Sequence, residues 1–239
     1  MRNNKGNINV NCDLGEGLEN DPLIMPLVQS CSIACGGHAG DESTMSTTVK
    51  LALHHGVQIG AHPSFPDREN FGRLLMDLDP QVLKNSLIEQ LKSLENICQS
   101  EGAQLVHVKP HGAIYNECVR NAELSNIVLD SIGEVNDQLV VFCPFGSVIY
   151  ELAITREMNV CPEAFADRNY NDDLSLVSRK DPKALVGPNL VVDHVKNMVD
   201  QGYVKTISGK SMNIKAQTFC VHGDNPHAVD ILTALNAAF

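Results

Sequence analysis

Val57-Gln58-Ile59-Gly60-Ala61, the run 79–100 that begins Asp79-Pro80-Gln81-Val82-Leu83, and Leu105-Val106-His107-Val108 together decide the fold. The outer runs are short and apolar, as buried strands are. The middle run puts Val82, Leu83, Leu87, Leu91, Leu94 and Cys98 at helical spacing. Asp79 supplies an N-cap, Pro80 suits the first helical position, and Gly102 marks the end. Strand, long helix, strand is the signature of parallel pairing through a right-handed crossover.

The same alternation extends along the chain. Strand-like runs lie at 8–12, 32–34, 57–61, 105–108, 139–142, 159–161 and 218–221. Helical runs lie at 41–55, 80–100, 122–135, 147–156, 182–201 and 226–238. The class is therefore α/β with a parallel sheet, either open and doubly wound or closed as a barrel. No G-x-G-x-x-G follows the first strand, which weakens the dinucleotide-binding alternative. Two insertions interrupt the rhythm, at 63–79 and 203–217, and the second reads as a hairpin turning at 208–211.

The length of 239 residues suits one domain spanning 1–239. A net charge of −11 disfavours nucleic acid and anionic membrane as partners. No apolar run approaches the roughly 20 residues of a membrane span. Residues 1–7 are followed by no leader-like apolar segment, so a cytoplasmic location is expected. The eight cysteines then read as buried thiols.

Chemistry-bearing residues concentrate just after the strands. They include Asp13 in Asn11-Cys12-Asp13 and His38 in Gly36-Gly37-His38, followed by His62 after Ala61. Lys109 and His111 then occur in His107-Val108-Lys109-Pro110-His111, Asp167 and Arg168 in Ala166-Asp167-Arg168, and His222 and Asp224 in His222-Gly223-Asp224. In a parallel barrel such strand ends converge on one face. One Asp with two or three His makes a divalent-metal site, and the same groups without metal serve as acid and base. There is no G-x-S-x-G and no H-E-x-x-H. Gly209-Lys210-Ser211 lacks the first glycine of a phosphate loop, since position 204 is Val. Cys31, Cys35 and His38 lack a nearby fourth ligand for zinc and read as two thiols and an imidazole. His54, His55, His194 and His227 fall in helical runs and read as surface or packing residues.

Asn11-Cys12-Asp13-Leu14-Gly15-Glu16-Gly17, Ala34-Cys35-Gly36-Gly37-His38-Ala39-Gly40-Asp41, Gly60-Ala61-His62-Pro63, His107-Val108-Lys109-Pro110-His111-Gly112, Phe165-Ala166-Asp167-Arg168-Asn169-Tyr170 and Cys220-Val221-His222-Gly223-Asp224 resemble the LamB/YcsF family, in order and from about residue 8 onward. The resemblance implies a seven-stranded parallel β/α (TIM-like) barrel related to polysaccharide deacetylases and glycoside-hydrolase-like folds. It implies the A-type component of a bacterial 5-oxoprolinase, which opens 5-oxo-L-proline to L-glutamate with ATP as co-substrate beside subunits B and C. It departs at Gly37, where the family usually carries an aromatic residue, and at the short segment 18–21. In the deacetylase relatives an Asp after the first strand and two later His bind metal. By position these are Asp13, His62 and either His107 or His111, with His111 preferred because it lies beyond the strand.

On this reading Asp13 or His62 activates water, and His111 or His222 protonates the leaving nitrogen. Lys109 and Arg168 hold substrate charge, with Lys109 pointing into the cleft. His38 lines the substrate site, where Asp167 and Asp224 orient cations and His rings. Two other readings compete. One is a metal-dependent amidase or deacetylase acting on an acetylated sugar. The other is a non-catalytic subunit binding a small carboxylate.

Overall fold

The computed structural model describes residues 8–239; residues 1–7, read above for a leader, lie outside the described residues. In chain order the elements begin with β1 (Asn9–Leu14), α1 (Asp21–Ile24), β2 (Ser30–Ala34), α2 (Glu42–His55), β3 (Gln58–His62) and α3 (Pro80–Ser100). They continue with β4 (Leu105–Val108), α4 (Gly112–Glu117), α5 (Ala122–Val135), β5 (Val140–Cys143), α6 (Val148–Thr155) and β6 (Val160–Phe165). The chain closes with α7 (Pro188–Gln201), β7 (Tyr203–Lys205), β8 (Ser211–Asn213), β9 (Thr218–His222) and α8 (Ala228–Ala238). The strands β1-β2-β3-β4-β5-β6-β9 form a closed barrel, every pair parallel. The open-sheet alternative is thereby excluded. Strands β7 and β8 form the antiparallel hairpin outside the barrel.

Local chemistry explains the individual elements. The Asp79 carboxylate accepts from the N–H groups of Gln81 and Val82, and α3 buries Leu83, Leu87, Leu91, Leu94 and Cys98. Val82 is exposed and leaves the stripe. The helical run read at 182–201 starts only at Pro188. Residues 183–185 are instead irregular backbone, because their carbonyls are taken by Asn169 and Arg168 side chains. The short helices α1 and α4 have no sequence periodicity long enough to reveal them.

Strand alternation sends polar side chains into the barrel. Asn11 donates to Glu163 at 2.9 Å and to Thr218 at 2.9 Å, and Ser32 lies 3.3 Å from the Nε2 of His107. His107 stacks on Phe142 with ring centroids 4.0 Å apart. Space for that imidazole comes from Gly60, where a Cβ would stand 2.1 Å from His107 Nε2. Gly60→Ala is therefore expected to destabilise the fold by about 1–3 kcal/mol, measured by denaturant unfolding, because the buried ring is held between Phe142 and Ser32 and must shift. An unchanged midpoint would show that the ring can move aside.

Candidate active site

His62 ends β3 and His111 follows β4, so the two imidazoles stand on adjacent strand ends. The Nδ1–H of His62 donates to the Lys109 carbonyl at 2.7 Å, which leaves Nε2 bare. The Nε2–H of His111 donates to the Phe71 carbonyl at 2.9 Å, which leaves Nδ1 bare. Those two bare nitrogens face each other at 2.9 Å. Lone pairs do not bond one another, so the pair is satisfied by a proton on one ring or by a cation. Asp13 Oδ2 lies 3.4 Å from the same His62 nitrogen.

A second layer surrounds this pair. His38 stacks on His111 with centroids 3.7 Å apart and places Nε2 3.2 Å from Glu16 Oε1. Its Nδ1 is buried with no hydrogen-bond partner among the described residues. Burial and the neighbouring His62 push His38 down to about 2, so its ring is neutral. Burial, reinforced by the Asp13 charge, pushes Glu16 up to about 7. Glu16, His38, His62 and His111 form one group with metal-ligating atoms within 4.8 Å of one another. The loop from β3 to α3 completes the layer. Phe71 adopts φ 55, a left-handed conformation rare for a bulky residue, and aims its carbonyl at His111. Its ring meets His38 and His111 at 5.0 and 5.4 Å.

Lys109 does not serve an open cleft as the sequence suggested. Its ammonium crosses the barrel to Asp13 at 3.0 Å, Glu163 at 3.1 Å and Cys220 Sγ at 2.9 Å, and the residue is 2% exposed. Two buried carboxylates already pair with it. Burial alone would raise Asp13, but His62 and Lys109 outweigh it and hold the carboxyl well below its usual range. Burial would lower Lys109, and Asp13, Cys220 and Glu163 outweigh it in turn. Tyr115 donates to the far oxygen of Glu163 at 2.7 Å.

Beside Asp13, whose carboxylate lies within 4.8 Å of a His222 ring nitrogen and of Cys220 Sγ, Asp167 accepts from His222 Nδ1 at 2.9 Å and from Asn225 at 2.9 Å. His222 stacks on Phe165, with its Nε2 outside that bond. Arg168 is corrected in the same way as Lys109. Its guanidinium donates to the carbonyls of Ala184 at 3.3 Å and Val177 at 2.5 Å, so it ties down the β6–α7 loop. Asp224 accepts from Arg73 at 2.6 Å and Arg179 at 3.0 Å.

His107 lies inside the barrel, apart from the His62–His111 pair. Cys35 is a buried thiol pushed up to about 12, and His38 joins the imidazole group rather than the cysteines. His54 and His55 are exposed at the end of α2, His194 stacks on Tyr170, and His227 is an exposed partner of Asp230. Gly37 packs against α3, not the mouth. A Cβ there would lie 2.4 Å from both Ser64 Oγ and Gln90 Oε1, so an aromatic side chain has no room. Sequence reasoning passes over Glu16, Phe71, Arg73, Glu163 and Arg179. Glu16 and Glu163 sit in the strand-end segments and are legible there, whereas the other three lie on loops without periodicity.

Residues 8–239 match the model of the LamB/YcsF family. The chain belongs to that family. The LamB/YcsF assignment agrees with a solved structure, the lactam utilization protein from Thermus thermophilus. That protein is 32% identical, with 97% of this chain and 95% of that chain covered, and the TM-score is 0.90. A family 4 carbohydrate esterase from Streptomyces lividans is 10% identical, with 97% of this chain and 86% of that chain covered and a TM-score of 0.50. At that identity the esterase shares the fold alone. No helix among the described residues is long and apolar enough to cross a membrane.

Proposed function

We propose that this LamB/YcsF chain is the ring-opening component of an ATP-dependent 5-oxoprolinase, acting with subunits B and C. The reaction is 5-oxo-L-proline, ATP and two waters to L-glutamate, ADP and phosphate. The observation that carries the reading is the bare His62 Nε2 set between Asp13 and His111, with His222, held by Asp167, within 4.8 Å of the Asp13 carboxylate. The similarity to a lactam utilization protein supports the lactam as substrate class.

A γ-lactam is a stable amide, so its carbonyl needs activation before water attacks. Phosphorylation of the carbonyl oxygen by ATP supplies it, and the partner subunits arrange that transfer. In this chain the imidazole pair, in its unprotonated form, takes a proton from the attacking water at His62 Nε2 and shares it with His111 Nδ1. The Lys109 carbonyl holds the required tautomer, and Asp13 stabilises the imidazolium that forms. His222 delivers a proton to the departing ring nitrogen from Nε2, with Asp167 holding the ring through Nδ1, and the γ-glutamyl phosphate so formed is cleaved by a second water to glutamate and phosphate.

The bare nitrogens of His62 and His111 stand 2.9 Å apart, Asp13 Oδ2 lies 3.4 Å from the first, and Glu16 and His38 bring ligand atoms within 4.8 Å of both imidazoles, donors of the kind a divalent transition metal takes. Asp13, His62 and His111 would hold it, and when bound it would polarise the lactam carbonyl.

Glutamate release from 5-oxo-L-proline tests the reading. It is expected only when this chain, both partner subunits and ATP are present, and the isolated chain is expected to hydrolyse no ATP. Elemental analysis of the purified chain reads the metal directly. ATP-independent release of acetate from an acetylated sugar, without glutamate formation, would replace this reading with a deacetylase.

A further inference from the structure

We propose that Arg73 and Arg179 form a guanidinium clamp that grips the carboxylate of the lactam substrate and sets specificity for lactams bearing one. The proposal rests on the ring-opening reading above. The cations that the strand ends offer are engaged elsewhere, Lys109 by Asp13 and Glu163 and Arg168 by backbone carbonyls. The chain as a whole carries −11, so a substrate anion needs a local concentration of positive charge.

The mouth provides one. Arg73 stands two residues beyond Phe71, with its guanidinium 4.7 Å from the Phe71 ring that touches His38 and His111. Arg179 reaches the same place from the β6–α7 loop. Both converge on Asp224, two residues beyond His222. Two guanidiniums sharing one carboxylate leave a net positive charge. The side chains of Arg73 and Arg179 are 40% and 34% exposed. Each commits one nitrogen to Asp224, Nη2 of Arg73 and Nη1 of Arg179, so other N–H donors of each fork remain. Asp224 also demonstrates the geometry, since it is a carboxylate already seated between both guanidiniums. A substrate carboxylate on the remaining donors would leave its ring beside His222 and the imidazole pair. The arginines thereby replace Lys109 and Arg168 as the groups that hold substrate charge.

Titration calorimetry on the full chain tests the clamp with 5-oxo-L-proline, its uncharged isostere 5-oxo-L-prolinamide, and ATP. The wild-type chain is expected to prefer the carboxylate at least about tenfold, the scale of charge-assisted hydrogen bonds. In Arg73→Gln/Arg179→Gln that preference is expected to vanish while amide binding persists, which also reports an intact site. Arg73→Lys/Arg179→Lys, which keeps the charge, is expected to restore part of it. A preference unchanged in the Gln variant, equal losses for both lactams, or no wild-type preference would overturn the clamp. A loss confined to ATP would overturn it too, assigning the arginines to phosphate. Turnover by the reconstituted complex is read separately: absent glutamate release refutes the ring-opening role, while the binding preference still judges the clamp.

Discussion

Asp13→Asn is expected to lower kcat/KM of the reconstituted complex for 5-oxo-L-proline by about 10²–10⁴-fold, the range for loss of an acid–base group. The carboxylate does two jobs at once. Its Oδ2 stands 3.4 Å from the bare His62 nitrogen, and its Oδ1 stands 3.0 Å from the Lys109 ammonium. The amide keeps the size and removes the charge. His62 then loses the group that stabilises its protonated form, and any metal loses an anionic ligand. Lys109 keeps Glu163 as a counter-charge, so the barrel should stay folded. Steady-state kinetics and a thermal melt on the same sample check this. Wild-type kcat/KM in a folded variant would reduce Asp13 to a counter-ion for Lys109.

Lys109→Met is expected to act on stability first, costing about 3–5 kcal/mol at pH 7, as removal of one partner from a buried ionic group does. Methionine fills the space of the stem, but Asp13 and Glu163 are left facing each other inside the barrel without their cation. The pH dependence has a definite sign. In the wild type, Asp13 has a depressed folded-state pKa. Its contribution is present above the unfolded carboxylate value and is lost as pH falls through the depressed one. Without Lys109 the Asp13 carboxyl loses one of the charges that hold it down and becomes easier to protonate. The gap between variant and wild type should therefore narrow as pH drops below 7. Denaturant unfolding at pH 7 and pH 5 measures it, and Lys109→Met/Glu163→Gln should recover part of the loss. A gap that widens at low pH would contradict the assignment.

These two results depend on features that differ in how far the sequence displays them. The Asp79-Pro80 start of α3 and its apolar stripe are readable because capping and helical spacing act between near neighbours. Placing Asp13, His62, His111 and His222 at strand ends needs only the strand–helix alternation and the rule that parallel strand ends share a face. The start of α7 escapes such a reading for the opposite reason. Residues 183–185 are held out of the helix by side chains of Arg168 and Asn169, a contact invisible to local periodicity.

The fate of the cations shows the same division. Lys109 and Arg168 stand out by position, but position says nothing of what a long side chain meets. Lys109 meets Asp13 from 96 residues away, Asn11 meets Glu163 from 152 residues away, and Arg179 meets Asp224 across 45. Sequence by itself determined the order of strands and helices, the register of reactive residues at the strand ends and the family, because hydrophobic spacing, caps and motifs are encoded locally. Only the tertiary structure decided which charges cancel inside the barrel, which ring nitrogens stay bare and which arginines remain at the mouth. Those depend on closing β9 against β1 and β6, which brings side chains from opposite ends of the chain into one low-dielectric space.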